Sequence, residues 1–444
     1  MASFIDILRN GAWLTRERVR LIGLAMLAAF VLGAGFLIAT SNGLNDRFGR
    51  PLGTDFSNVY AAGTYVLDGQ PAVPFDPPRQ YAREQAIFGQ TTPFYGWHYP
   101  PFFLGLAALL ATMPYWLALL MWQGVTLGLY LLAIRSILFT SWPGLSRPST
   151  TSSHLSQDVD ARHKAGHDGE EGSGSNSLWL LLTLAFPAVF INLGQAHNGF
   201  LTAALFGAAL VQLDKRPIIA GILFGLLAYK PQFGLLIPLV LLVNGRWRVI
   251  IAASITVAAL ALAITLACGT EVWTAFFAST KFTREVVLEQ GQTGWHKIQS
   301  VFSWVRLWGG GLTLAYALQG AVIAAIAGAL IWLWRGPAAY SIKAAALIIG
   351  CLLATPYSLD YDLMLLAPAI AFLAVDGFRR GFAPWEKTIL AGLWLVPLVA
   401  RSVPEATLIP LAVPLMLAAF AFLLHRAMTE AGPAQVSSIF PHAP

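Results

Sequence analysis

The sequence predicts an all-α polytopic membrane protein, and three observations carry that expectation. Of its 444 residues, 57% are hydrophobic and only 11% charged, whereas soluble domains run at about 25% charged. Apolar runs of roughly 15–25 residues recur along the chain, divided by short Arg/Lys or Pro/Gly punctuation. The alternating apolar and polar pattern of a membrane β-barrel is absent, which leaves a helical bundle to satisfy the backbone in lipid.

Residues 1–20 carry Arg9, Arg16, Arg18 and Arg20 against Asp6 and Glu17, a bias that places the N-terminus in the cytoplasm. Leu21–Thr40 is the first span. It is long for a signal-peptide core and has no small-x-small cleavage site, so it reads as a retained anchor. It delivers residues 41–100 to the outer side, within a unit of residues 21–140. In this loop Ser57–Leu67 reads as a short helix that Asp55 or Ser57 caps and Asp68-Gly69-Gln70-Pro71 stops. Phe75, Tyr81, Phe88, Phe94, Tyr95 and Trp97 give the loop an interfacial aromatic content. The apolar stretch Phe102–Met113 rises about 18 Å, too little for a core of about 30 Å. It therefore reads as re-entrant or surface-lying, with Tyr115–Leu138 as the second span.

Residues 141–177 are rich in Ser, His, Gly and acidic residues and nearly devoid of apolar ones, the composition of a disordered cytoplasmic linker. Its His154, His163 and His167 are read as solvated residues, not as a metal tract. A transmembrane core, 178–268, follows with spans at about 178–193, 199–213, 217–229, 231–243 and 249–268. A second outer loop covers 269–311. The C-terminal helices, 312–425, span at about 312–334, 340–354, 361–375, 385–401 and 406–425, leaving a cytoplasmic tail at 426–444. Parity tests this count. With Phe102–Met113 outside it, Lys215-Arg216, Arg246/Arg248, Arg335, Arg379-Arg380 and Arg426 all fall inside, giving about twelve spans with both ends cytoplasmic.

Function classes narrow in the same way. The net charge of +6 reports topology and anionic lipid contact, and no basic, aromatic-interleaved patch suggests nucleic acid. Cys268 and Cys351 sit in or beside apolar runs and read as small buried hydrophobes. No CxxC, HExxH, P-loop or dinucleotide fingerprint occurs.

Charges and polar groups at membrane depth are costly and default to functional hypotheses. Here Asp55, His98 and Tyr99, the Gln195-Ala196-His197-Asn198 turn, Lys230, the His296-Lys297 and Gln299 group, and the Asp360/Asp362 pair all map to the outer side. One polar face over a helical bundle points to one site at the membrane boundary. Each residue keeps a plainer alternative. Asp55 is a catalytic base or a helix N-cap. His98, beside Tyr99-Pro100-Pro101, serves substrate or anchors the interface. Lys230 contacts an anionic substrate or snorkels to headgroups. Gln195, His197 and Asn198 bind substrate or satisfy backbone groups in a tight turn. His296, Lys297 and Arg306 bind phosphate or balance charge near headgroups. Asp360 and Asp362 line the site or cap a helix start.

The stretches TDFSNVYAAGTYVLDGQPAVPFDP, YGWHYPPF, NLGQAHNGFLTAALFGAALVQLDKRPIIAGILFGLLAYKP and TPYSLDYDLMLLAP occur in that order. In order and spacing, from about residue 20 to 375, the chain resembles the integral-membrane glycosyltransferases of glycosyltransferase family 87, within the GT-C fold class. The linker at 141–177 and His197 depart from the pattern. The resemblance implies a GT-C bundle with two extended outer loops over a site at the outer leaflet of the inner (plasma) membrane. It also implies a polyprenyl-phosphate sugar donor, mannosyl transfer, and Asp55 as the first-loop aspartate. Some GT-C enzymes place a divalent ion near that acid; with one strong carboxylate here, a metal-free phosphate-clamping site is preferred, and no cofactor is expected.

The chemistry follows from the groups themselves. An acceptor hydroxyl, on a lipid or a glycan, attacks an anomeric carbon poorly unless a base takes its proton as the bond forms, which a positioned Asp does. The leaving phosphate needs fixed cations, and Lys230, His98, His296, Lys297 and Arg306 are the candidates. The competing class is a transporter or lipid flippase, which places polar residues near the midplane and carries internal repeats. Here they gather at one boundary, and no repeat between the halves is evident. A third reading, a binding subunit that has lost activity, sits poorly with the retained Asp55.

Overall fold

The computed structural model describes residues 3–140 and 177–431, and among these the chain is helical with no β-strand. The segment read as a cytoplasmic linker lies, except for Ser177, outside the described residues, as does most of the tail. The first half contains α1 (Phe4–Asn10), α2 (Arg16–Ala39), α3 (Thr54–Leu67), α4 (Pro77–Phe88), α5 (Leu104–Ala111) and α6 (Tyr115–Thr140). The chain resumes with α7 (Ser177–Leu184), α8 (Pro187–Gln195), α9 (Gly199–Gln212), α10 (Pro217–Leu226), α11 (Leu236–Val243), α12 (Trp247–Cys268) and α13 (Glu271–Phe282). It ends with α14 (Val301–Leu307), α15 (Leu312–Arg335), α16 (Tyr340–Ala354), α17 (Leu366–Arg380), α18 (Glu386–Val399), α19 (Ser402–Thr407) and α20 (Ala412–Ala431).

This is a helical membrane protein, but its helix lengths do not give about twelve spans. Among the described residues six helical segments are long and apolar enough to cross a bilayer, or seven if α7 and α8, bent by 50° at Pro187, act as one. The difference lies in length: the expected crossings at 199–213, 217–229, 231–243 and 340–354 are among the shorter apolar helices. Leu226 ends α10, a 3-10 turn carries the chain through Tyr229, and Pro231 opens another before α11. Five apolar helices therefore measure only 10–17 residues, and 14 residues rise about 21 Å.

Long and short helices nevertheless shuttle between two ends. Asp214 after α9 pairs with Arg246 before α12, at 2.5 Å. The Tyr340 hydroxyl at the start of α16 donates to Leu210 near the end of α9. At that same end of the bundle Arg426 of α20 pairs with Glu386 and, at 2.6 Å, with Asp376. The N-terminal segment docks there too: Trp385 N–H donates to Arg9 O at 2.6 Å and the Thr388 hydroxyl to Leu8 O at 2.6 Å. Both ends of the described chain thus meet at one end of the bundle. The opposite end collects the turns at 195–198, 230, 295–300, 355–362 and 401.

The core is built on α16, which is buried along nearly its whole length and flanked by α15, α17 and α20. Such all-round burial fits its unbroken Ala/Leu/Ile sequence. Around Asp55, α3 packs closely on α5. A Cβ at Gly63 would lie 2.1 Å from Ala107 O, so a side chain there would push the two helices apart. Helix α5 is the apolar stretch expected not to span, and it is eight residues long.

Candidate functional site

Asp55 stands in the first turn of α3, not at its cap. The helix begins at Thr54, three residues before the expected start, and Gly53 occupies the N-cap at φ 72°, a conformation that favours glycine. Leu119 and Ala196 crowd the same position, which seats the helix start against the 195–198 turn. Asp55 is half-buried and makes no hydrogen bond or ion pair among the described residues. Loss of water pushes its carboxyl up to about 7, helped by the negative charge of Asp360 and opposed by Arg401, Lys230 and Lys297. The helix N-terminus favours the charged form, but burial outweighs it. A carboxylate poised near neutrality is suited to take a proton.

Two ion pairs stand around it, one buried and one with its arginine partly exposed. Lys230, between the two 3-10 turns, pairs with Asp362; both residues are almost fully buried. Asp362 also accepts the Leu359 N–H at 3.0 Å, capping the turn that opens there. Asp360 pairs with Arg401 at 2.8 Å. Between the two carboxylates, Tyr361 stacks on His197 with centroids 3.5 Å apart and 22° between planes, and Lys230 Nζ lies 5.3 Å from its ring centre. Lys297 feels Arg401, Asp360 and Asp55 and has no ion pair of its own among the described residues.

The other expected residues divide. His197 is buried, its Nε2 is 3.1 Å from the Tyr99 hydroxyl, and burial beside Lys230 holds it neutral. Its Nδ1, Gln195 Oε1 and both side-chain polar atoms of Asn198 are buried without a partner among the described residues, an uncommon cost that marks a polar wall. Ala196 holds this turn in the left-handed region at φ 50°, and Trp122 donates to its carbonyl at 3.0 Å. His98 contacts Thr283 at 3.0 Å, and burial lowers its imidazole to about 4. It is a neutral hydrogen-bonding group where a cation was expected. Partial burial, followed by the neighbouring cations, also lowers His296, against Glu405 and Asp360. Gln299 is fully buried and holds backbone: its side chain donates to Ala400 O at 2.8 Å, and its N–H to Ser358 O at 2.6 Å. Arg306 is not brought in. Its guanidinium donates to Gly310 O at 2.7 Å and Glu289 O at 3.2 Å and lies over Trp295.

Sequence reasoning missed Arg401 as a site residue. The signal was its position, a cation at the end where the positive-inside pattern leaves few. It also missed Glu84, a buried carboxylate of α4. Among the described residues no group of three or more His, Cys, Asp or Glu side chains is gathered to hold a metal ion. Asp360 and Asp362 are each matched by a cation, Arg401 and Lys230.

Fold and cluster define a polytopic helical membrane protein with a charged, polar group of side chains at one end of the bundle. The chain belongs to glycosyltransferase family 87, whose family model matches residues 97–356, and it is therefore a membrane glycosyltransferase. The match contains Lys230, Lys297 and the 195–198 turn; Asp55, Asp360, Asp362 and Arg401 lie outside it. A stretch of 66 residues is 52% identical to an error-prone DNA polymerase of Rhodopseudomonas palustris, covering 15% of this chain. The chain spans only 5% of that curated relative's length, and the similarity carries no functional argument. No solved structure matches the chain.

Proposed function

We propose that this chain is an inverting hexosyltransferase that moves mannose from a polyprenyl-phosphate donor to a hydroxyl of a lipid or glycan acceptor, with Asp55 as general base. The observation that carries the reading is the unpaired, half-buried Asp55 carboxylate facing Lys230, Lys297 and Arg401. The base abstracts the acceptor proton as the new C–O bond forms; the anomeric C–O bond to phosphate breaks, and polyprenyl phosphate leaves. Inversion follows if attack comes in line from the Asp55 side. Lys297, with no carboxylate partner, meets the phosphate first. Lys230 and Arg401 stabilise the growing negative charge, while Gln195, His197, Asn198 and Tyr99 hold sugar hydroxyls. His98 contributes a neutral hydrogen bond, and no metal step is invoked.

The site faces the outer leaflet of the plasma (inner) membrane in this reading. Arg246, Arg379, Arg380 and Arg426 gather at the other end, as positive-inside bias requires on the cytoplasmic side. The shorter helices count as crossings too, which gives the GT-C-like bundle of about twelve traverses. Liposome-reconstituted protein offered polyprenyl-phosphate mannose, polyprenyl-phosphate glucose and a nucleotide-sugar is expected to consume the first, with inversion at the anomeric carbon. Consumption of the nucleotide-sugar, or donor movement across the bilayer without sugar transfer, would overturn the reading, the second in favour of a flippase.

A further inference from the structure

Glu84 is a fully buried carboxylate that the proposed chemistry leaves unused. It has no cation partner among the described residues. What it holds is backbone: Oε2 accepts the Tyr95 N–H at 3.2 Å and the carboxylate also takes the Gly96 N–H. Its Oε1 accepts from Gln80 Nε2 at 3.4 Å, and the same nitrogen donates to Asn58 O at 2.9 Å. Asn58 is three residues from Asp55 on α3, one turn along the same face. Residues 90–100 have no regular structure, yet they carry Trp97, His98 and Tyr99 and form one wall beside the 195–198 turn. Tyr81 adds a hydroxyl bond to Thr92 O at 3.0 Å, and Phe94 packs edge-on against the Tyr81 ring.

A buried, unpaired carboxylate costs several kcal/mol unless it is protonated or fully hydrogen-bonded. An apolar residue or Gln would fill the same space at less cost. Asn58 Oδ1, Gln80 Oε1 and Thr92 Oγ1 are buried beside it without partners among the described residues, so the cluster is polar well beyond what packing needs.

We infer that Glu84 is a positioning residue that clamps the Tyr95–Gly96 backbone to α3 and α4, so that His98 and Tyr99 face Asp55. The inference rests on Asp55 being the base. The groups that face Asp55 are Asp360, Arg401, Lys230 and Lys297; those that face Glu84 are Asp55, Tyr95, Gln80 and the Gly96 N–H. Arg50 and Asp46 act on Tyr95 from the loop before α3. Burial pushes Glu84 up to about 7, and the Asp55 charge adds to that rise.

The test uses the full chain in nanodiscs, with Glu84→Gln, Glu84→Ala and Asp55→Asn beside wild type. Hydrogen exchange of the peptide covering 94–99 reads the clamp without turnover. Protection is expected to fall at least tenfold in Glu84→Ala and to stay in Asp55→Asn. Rescue by the conservative variant reads the positioning. Glu84→Gln keeps an acceptor for the Tyr95 N–H and is expected to stay within about threefold of wild type in kcat/KM, whereas Glu84→Ala is expected to lose at least about tenfold. Unchanged exchange in Glu84→Ala would overturn the clamp, and so would a Glu84→Gln as impaired as Glu84→Ala, or a Glu84→Ala with wild-type kcat/KM. Turnover in Asp55→Asn would instead overturn the base assignment while leaving the exchange result to stand by itself.

Discussion

Neutralising Lys230 separates what this residue does for the fold from what it does for the donor. Lys230 and Asp362 are 3% and 2% exposed and pair directly. Removing one partner of a buried pair leaves an uncompensated charge and typically costs about 3–5 kcal/mol, whereas removing both is often close to neutral. Lys230→Met and Asp362→Asn are each expected to lose about that much. The Asn retains an acceptor for the Leu359 N–H that Asp362 now caps at 3.0 Å, so the double variant is expected to recover to within about 1–2 kcal/mol of wild type. The assay is a double-mutant cycle of denaturant unfolding in micelles, run beside donor kinetics. The stable double variant still lacks a cation at the phosphate. A charge-assisted hydrogen bond is worth about 1.5–3 kcal/mol, so kcat/KM for the donor is expected to stay roughly 10–100-fold low. Coupling below about 1 kcal/mol would refute the buried pair. A double variant that regains full turnover would confine Lys230 to structure.

Other outcomes follow from the same geometry. Because burial raises the Asp55 carboxyl from 3.8 to about 7, the unfolded chain ionises first and Asp55 costs folding stability progressively between those values and fully above the upper one. Asp55→Asn is expected to unfold at a higher temperature than wild type at pH 8, with the gain vanishing below about pH 4, and wild-type turnover to rise through pH 7. Lys297→Ala is expected to raise donor KM about tenfold with stability unchanged. Arg306→Ala is expected to lower stability by about 1–3 kcal/mol, since Gly310 O and Glu289 O lose their donor, and to leave donor KM near wild type; the reverse pattern in steady-state kinetics and unfolding would exchange their roles. Phe139 and Trp179 pack edge-on at 6.0 Å, so the ends of α6 and α7 are already adjacent. Deleting 145–175 is therefore expected to leave turnover nearly intact, and a well-folded but inactive deletion would place that segment in the site.

Much of the cluster was legible because charges in an apolar chain are few and each demands a reason. Asp55, Lys230, Lys297 and the Asp360/Asp362 pair stood out for that reason, and parity brought them to one side before any contact was known. What stayed hidden depends on tertiary packing. The Arg401–Asp360 pair joins residues 41 positions apart, and no periodicity reports it. Glu84 sits on α4, where Arg79, Arg83 and other polar residues disguise a buried carboxylate as part of a solvated face. The protonation of His98 depends on how deeply 90–100 is packed, and Arg306 resembles a phosphate ligand until its carbonyl partners are seen. The helix lengths departed from about twelve full spans because expected crossings such as 199–213, 217–229, 231–243 and 340–354 fold as helices of only 10–17 residues.

The central claim is that Asp55 is the base of a polyprenyl-phosphate mannose transfer, and the most direct measurement compares wild type with Asp55→Asn for sugar transfer from that donor in liposomes. Wild type is expected to turn over, and a folded, inserted Asp55→Asn to lose at least about a hundredfold, as when a general base is removed. Equal turnover by both would contradict the mechanism, and turnover by neither, across several lipid-linked sugars, would contradict the donor class.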